Sequence, residues 1–183
     1  VQHSIRVTRH LYAKQSNYQQ IDIFETPEYG KVLALNGNVQ LTERDEFIYD
    51  EMITHLPMAV HPGICDVLVI GAGDGGVVRE LTRYDRVKSI DLVEMDPQVV
   101  EACREFLPGN ACRMDDRRVH IYFENALRFI RRCESKYDLI IVDSTDPFGP
   151  SEGLFTKAFY GNCYNALKED GTIDRTVQSG GAC

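Results

Sequence analysis

The 183-residue chain has no C-x-x-C pair, no apolar run of membrane-spanning length, no internal repeat and no low-complexity linker. Its six cysteines (Cys65, Cys103, Cys112, Cys133, Cys163 and Cys183) are irregularly spaced among helical and strand patterns. That spacing reads as reduced thiols in a cytosolic protein, not as a disulfide framework. Without a long apolar stretch there is no helical membrane span, and Val1–Tyr12, interrupted by Arg6 and Arg9, has no apolar leader core. Positive charge is scarce: 20 Lys and Arg stand against 28 acidic residues, a net charge of −8. A solvated surface accounts for much of that total, but the balance argues against nucleic-acid backbones and mildly favours cationic partners. The five histidines are scattered, and His55 and His61 lack the spacing of ligands on one helix face, so no metal site is expected.

Hydrophobic residues make up 43% of the chain, enough for one main domain with a small appendage. From Ser4 to Leu41 the pattern is of short strands rich in Ile, Val, Tyr and Phe, with Asn36-Gly37 as a tight-hairpin signal. Phe47, Ile48, Met52, Ile53 and Leu56 then recur at helical spacing until Pro57. Beyond that, strands and helices alternate. Strands are expected at Asp66–Ile70, Val87–Val93, Val119–Phe123 and Leu139–Val142. Helices are expected at Gly75–Tyr84, from Asp96-Pro97 onward, and at Ala126–Arg132 and Phe155–Leu167. The fold class is therefore α/β: a Rossmann-like, doubly wound, mostly parallel sheet behind a small N-terminal antiparallel β domain. Residues 1–44 are assigned to the antiparallel domain and 45–183 to the Rossmann-like domain.

Gly71-Ala72-Gly73-Asp74-Gly75-Gly76 forms a glycine-rich turn between the first parallel strand and its helix. Such turns let backbone approach a nucleotide, although tight strand-to-helix turns use glycine for structural reasons too. Gly71, Gly73 and Gly76 fit G-x-G-x-x-G, and Glu94 ends the second strand where a ribose-hydroxyl acceptor is expected. Asp74 inside the turn is ill suited to pyrophosphate but suits a phosphate-free cationic nucleoside such as S-adenosylmethionine or its relatives. It is equally placed to cap the following helix. Further on, the apolar run Tyr137–Val142 ends in Asp143-Ser144-Thr145-Asp146-Pro147, two carboxylates three residues apart. An amine nucleophile must lose a proton before it attacks carbon, and Asp143, directly after a buried strand, is the candidate acceptor. Asp146 is the candidate to orient a second amine. The structural alternative is a strand-end Asp143 and an Asp-Pro turn; the companion acids Asp74 and Glu94 favour the site.

Glu43–Tyr49, Gly71–Gly76, Asp143–Pro147 and Gly149-Pro150, with Leu154-Phe155 and Phe159-Tyr160 behind them, resemble the polyamine aminopropyltransferases of the spermidine synthase type, in register from about Tyr18 to Gly171. The resemblance implies aminopropyl transfer from decarboxylated S-adenosylmethionine, a co-substrate and not a prosthetic group, to putrescine. It further implies a cytoplasmic homodimer or homotetramer, no metal, and closure of Thr145–Leu154 over the site. Carried over by residue, Asp143 is the proton acceptor, and Asp146, Tyr49 and Gln40 lie near the diamine. Gln19 contacts the nucleoside, Gly71, Gly73 and Gly75 belong to its turn, Asp74 holds the aminopropyl amine, and Glu94 takes the ribose hydroxyls.

Three departures from that family pattern stand out. Asn125-Ala126 stands where the family shows an Asp-Gly or Asp-Ala pair that grips the adenine amino group; Asn keeps an acceptor oxygen but loses the charge. Asp50 stands where relatives carry Gln or His, and its extra charge either tightens cation binding or faces water. After Gly171 the expected apolar strand is interrupted by Asp174-Arg175, and the C-terminus reads as truncated. The rival readings are an S-adenosylmethionine-dependent methyltransferase, disfavoured by Asp74 facing the cofactor's carboxylate, and an inactive nucleoside-binding fragment.

Overall fold

In the computed structural model, which describes residues 5–144 and 153–177, the chain opens with β1 (Arg9–Gln15), β2 (Gln20–Thr26), β3 (Gly30–Leu35) and β4 (Asn38–Thr42), an antiparallel sheet in that order. Asn36 and Gly37 both take positive φ, 51° and 78°, as a two-residue hairpin turn matched to strand twist requires. Helix α1 (Glu46–Val60) follows and runs through Pro57, beyond the end expected from the sequence. The proline has no amide to give, but burial of Ile53, Pro57 and Met58 outweighs the lost bond.

The remaining elements are β5 (Asp66–Gly71), α2 (Gly76–Leu81), β6 (Ser89–Glu94), α3 (Pro97–Phe106), α4 (Pro108–Ala111), β7 (Val119–Phe123), α5 (Ala126–Ile130), β8 (Tyr137–Ser144), α6 (Lys157–Ala166) and β9 (Leu167–Val177). Asp96 caps α3, accepting from Gln98 N at 3.1 Å, and Thr156 caps α6, accepting from Phe159 N at 3.2 Å. Among the described residues no helix is long and apolar enough to cross a membrane.

Alternation along the strands sets the layers. Val67, Val69, Leu92, Leu139 and Ile141 face α1, α2 and α3 through Ile53, Val77, Leu81 and Val100. Leu68, Ile70, Val93, Ile140 and Val142 face α5 and α6 through Phe129, Ile130, Phe159 and Cys163. Each fully buried aliphatic stabilises by roughly 1.5–3 kcal/mol, so covering both faces dominates the fold. Ile21, Ile23 and Leu33 of the antiparallel sheet pack on Val99, Ala102 and Cys103 of α3. That helix therefore joins the two sheets.

The parallel sheet has the order β7-β6-β5-β8-β9. Contrary to the sequence expectation, Asp174-Arg175 does not interrupt its last strand: β9 pairs in parallel with β8, Asp174 opposite Ile141 and Arg175 opposite Val142. An edge strand tolerates such residues, and Arg175 stacks on the Phe155 ring at 3.6 Å and donates to Leu154 O at 3.2 Å.

Strand order reverses between β5 and β8, the place where open α/β sheets form a ligand crevice. Gly71 pairs with Asp143 there at φ +83°, and a Cβ on Gly71 would lie 1.9 Å from the Asp143 carbonyl oxygen. Gly71→Ala is therefore expected to destabilise the protein by about 3 kcal/mol or more, from left-handed strain plus a backbone clash. Denaturant unfolding checks this; an unchanged midpoint would contradict the strand geometry.

Candidate active site

A cavity of about 730 Å³ opens at the carboxyl ends of β5, β6 and β8. Gln19, Gln40, Tyr49, Gly71, Gly73, Asp74, Glu94, Asn125, Ala126 and Asp143 all line it, so ten of the residues singled out in the sequence meet in one place. Gly75 does not line it. It begins α2 at φ +94°, and a Cβ there would meet Ala111 Cα and the Met114 side chain at 2.9 Å, so close packing is what it serves. Asp146 and most of the Thr145–Leu154 loop lie outside the described residues.

Each acid is set by its local backbone. Asp74 accepts from Gly76 N at 2.9 Å, so it supports the start of α2 while its carboxyl stays on the cavity wall. Burial and the neighbouring Glu46 raise its pKa, against the backbone hydrogen bond from Gly76 that lowers it. Glu94 accepts from Asp96 N at 2.9 Å. A Cβ on Gly73 would stand 2.8 Å from Glu94 Oε2, so the bare glycine lets turn and acid close on each other. Burial, with Asp96 and Asp74 nearby, pushes Glu94 up to about 7. Asp143 accepts from Tyr49 Oη at 2.6 Å. Burial and the charge of Asp74 push it up to about 7 despite that hydrogen bond. A carboxylate whose pKa lies near the working pH is matched to accepting a proton in catalysis.

Gln19 Nε2 donates to Asp96 Oδ2 at 3.2 Å, and Ser16 Oγ donates to the same oxygen at 2.6 Å. Asp96 thus caps α3 and fixes the first sheet's polar contribution to the cavity, a double role hidden behind its helix-start pattern. Asn125 Oδ1 accepts from Leu127 N at 2.8 Å and Arg128 N at 3.3 Å. Its acceptor oxygen is engaged in capping α5, so the retained acceptor expected from the sequence is already spent. The apolar walls come from Leu33, Leu35 and Leu41 of the antiparallel sheet and from Ile48 and Met52 of α1; the strand and helix patterns alone did not mark them as site residues.

Asp50 does not face water. It is 4% exposed and lines the cavity, and burial, with Asp74, Glu46 and Asp143 around it, pushes it up to about 10. Away from the cavity mouth, Glu51, His55 and Glu80 come within metal-ligand reach of one another. Glu80 is met by Arg79 Nε at 2.8 Å, Arg83 Nη1 at 2.9 Å and His55 Nε2 at 3.1 Å, so both of its carboxylate oxygens are engaged in ion pairs.

Two family profiles match the chain: the spermine/spermidine synthase domain over residues 46–179 and the spermidine synthase tetramerisation domain over residues 1–43. Polyamine aminopropyltransferases from Alkaliphilus oremlandii and Lachnoclostridium phytofermentans are 61% and 58% identical to it. Each alignment covers 94% of this chain and 61% of the relative, so the chain spans about three fifths of their length. Among solved structures, a spermidine synthase in complex with the transition state analogue AdoDATO superposes with a TM-score of 0.92 at 45% identity, over 93% of this chain and 59% of that one. The spermidine synthase of Thermotoga maritima gives 0.89 at 45% identity, over 93% and 58%.

Asp50 carries a stability consequence with a definite sign. A carboxyl whose folded pKa is raised leaves stability intact below its unfolded pKa near 4 and erodes it as pH rises toward the folded value, here about 10. Asp50→Asn is therefore expected to raise the melting temperature of the ligand-free protein at pH 8 by about 4 °C or more, with the gain shrinking toward pH 4. Calorimetric scans across pH check this; a pH-independent difference would contradict it.

Proposed function

We propose, on the premise that this chain belongs to the spermine/spermidine synthase family, that it carries out aminopropyl transfer from decarboxylated S-adenosylmethionine to putrescine, giving spermidine and 5'-methylthioadenosine. The observation that carries this reading is the convergence of Asp74, Glu94 and Asp143 on one cavity with raised carboxyl pKa values. Glu94, beside the bare Gly73, takes the ribose hydroxyls, and Asp74 holds the terminal amine of the aminopropyl group. Asp143, oriented by Tyr49, removes a proton from one putrescine nitrogen. That nitrogen then attacks the carbon next to the sulfonium. The carbon–sulfur bond breaks, and its electron pair returns to sulfur to leave a neutral thioether. Positioning supplies most of the acceleration, because the sulfonium is already a good leaving group. Gln40 and Tyr49 border the diamine, and Gln19, Gly71, Asn125 and Ala126 border the nucleoside.

The chain is proposed to form a homodimer or homotetramer; the match of residues 1–43 to a tetramerisation domain supports an oligomer. Cys65, Cys103, Cys112, Cys133 and Cys163, all free thiols, suit a reducing cytoplasm.

Asp143→Asn is expected to lower turnover by about 10²-fold or more, with spermidine as the product that disappears. In the unaltered protein kcat/KM is expected to rise with pH through about 7 as Asp143 loses its proton. Product analysis with decarboxylated and carboxylated S-adenosylmethionine checks both. Full turnover by the variant would remove Asp143 from the mechanism, and methyl transfer from the carboxylated compound would replace the reaction altogether.

A further inference from the structure

The turn between β1 and β2 meets the parallel-sheet half of the chain through a buried polar contact. Ser16 and Asp96 are 7% and 1% exposed, and both stand behind the cavity wall, outside the set of residues that line it. Ser16 Oγ draws the turn together by accepting from Tyr18 N and Gln19 N, each at 3.0 Å. The same hydroxyl donates to Asp96 Oδ2 at 2.6 Å. Gln19, the turn residue that does line the cavity, donates from Nε2 to that oxygen at 3.2 Å. On the other side, the Asp96 amide donates to Glu94 Oε1 at 2.9 Å, and Asp96 Oδ1 accepts from Gln98 N at 3.1 Å to begin α3. One residue therefore ties the β1–β2 turn to the acid that ends β6.

This contact sets an orientation as well as a distance. An oxygen that accepts from Ser16 can take only the N–H end of the Gln19 amide, so Nε2 is committed to Asp96 and Oε1, an acceptor, is the end left for a ligand. We propose that Ser16 and Asp96 are positioning residues for the nucleoside co-substrate: acting through Gln19 and Glu94, they fix an amide acceptor and a carboxyl beside each other before the nucleoside's hydroxyl groups arrive. Ordering these groups in advance removes part of the entropy cost of binding. The inference rests on the aminopropyl-transfer reading of the same cavity. It puts one determinant of nucleoside affinity, Ser16, outside the cavity and in the segment that matches a tetramerisation domain. A second contact between the same sheet and the same helix supplies a control: Lys31 Nζ of β3 donates to Phe106 O at 2.8 Å, at the carboxyl end of α3 and away from Glu94.

The experiment is isothermal titration of 5'-methylthioadenosine into the unaltered protein, Ser16→Ala, Asp96→Asn and Lys31→Met, with a thermal melt of each. Asn caps a helix about as well as Asp, so Asp96→Asn keeps the start of α3. With Oδ1 retained for that cap, its Nδ2 meets Gln19 Nε2 donor to donor, and the amide loses its anchor. Ser16→Ala and Asp96→Asn are each expected to weaken 5'-methylthioadenosine binding by about tenfold, the scale of one lost buried hydrogen bond. Lys31→Met loosens the same sheet at the far end of α3, and is expected to lower the melting temperature while leaving the affinity unchanged. Either of the first two variants suffices should the other fail to fold. Full affinity in either folded variant, or an equal loss in Lys31→Met, overturns this inference alone. No binding of 5'-methylthioadenosine by the unaltered protein overturns the proposed function and this inference together.

Discussion

The structure depends on holding several carboxyl groups together out of bulk water at the point where strand order reverses. Two carboxylates about 5 Å apart repel by roughly 3 kcal/mol at an effective dielectric constant of 20, so gathering Asp50, Asp74, Glu94 and Asp143 on one cavity disfavours their full ionisation at neutral pH. Burial first, and the neighbouring acids second, favour the protonated forms, pushing Asp143 and Glu94 up to about 7 and Asp50 to about 10. In the proposed reaction a sulfonium and a diamine would supply positive charge to this acidic cavity. The crowding itself is made possible by glycine: without a side chain at Gly71, Gly73 and Gly76, the backbone of β8, the Glu94 carboxyl and the Asp50 carboxyl each approach the turn closely.

The antiparallel sheet is part of this arrangement. Its inner face packs on α3, which also packs on the parallel sheet, and its strands β3 and β4 deliver Leu33, Leu35, Gln40 and Leu41 to the cavity. The apolar leucines cover one side of a site whose other side is acidic, which lowers the local dielectric and strengthens each charge interaction within it. Ser16, Gln19 and Asp96 fasten this contact close to Glu94. A helix cap therefore also sets the distance between the two halves of the site.

Much of this was legible in the sequence because the patterns were local. Apolar alternation located the parallel strands, Asn36-Gly37 located the hairpin, and the glycine turn and the strand ends drew attention to Asp74, Glu94 and Asp143, which line one cavity. What escaped was decided by tertiary packing. Pro57 marked a helix end by its chemistry, yet buried neighbours carried α1 one turn further. Asp174-Arg175 broke an apolar run, yet at a sheet edge Phe155 and Leu154 O gave the arginine partners. Gly75, assigned to the nucleoside turn by the family resemblance, instead packs against Ala111 and Met114. Asp50 was visible as a departure from the family pattern, but nothing local says that it points inward over Gly76 and not to solvent.

The central claim is that positive charge on the ligand, more than its shape, is what this cavity binds. Titrating the 5'-methylthioadenosine-saturated protein with putrescine and with its uncharged counterpart of matching chain length, 1,4-butanediol, tests that claim most directly. Saturable binding of the diamine with no measurable binding of the diol is the predicted result. Comparable affinity for the two would contradict it.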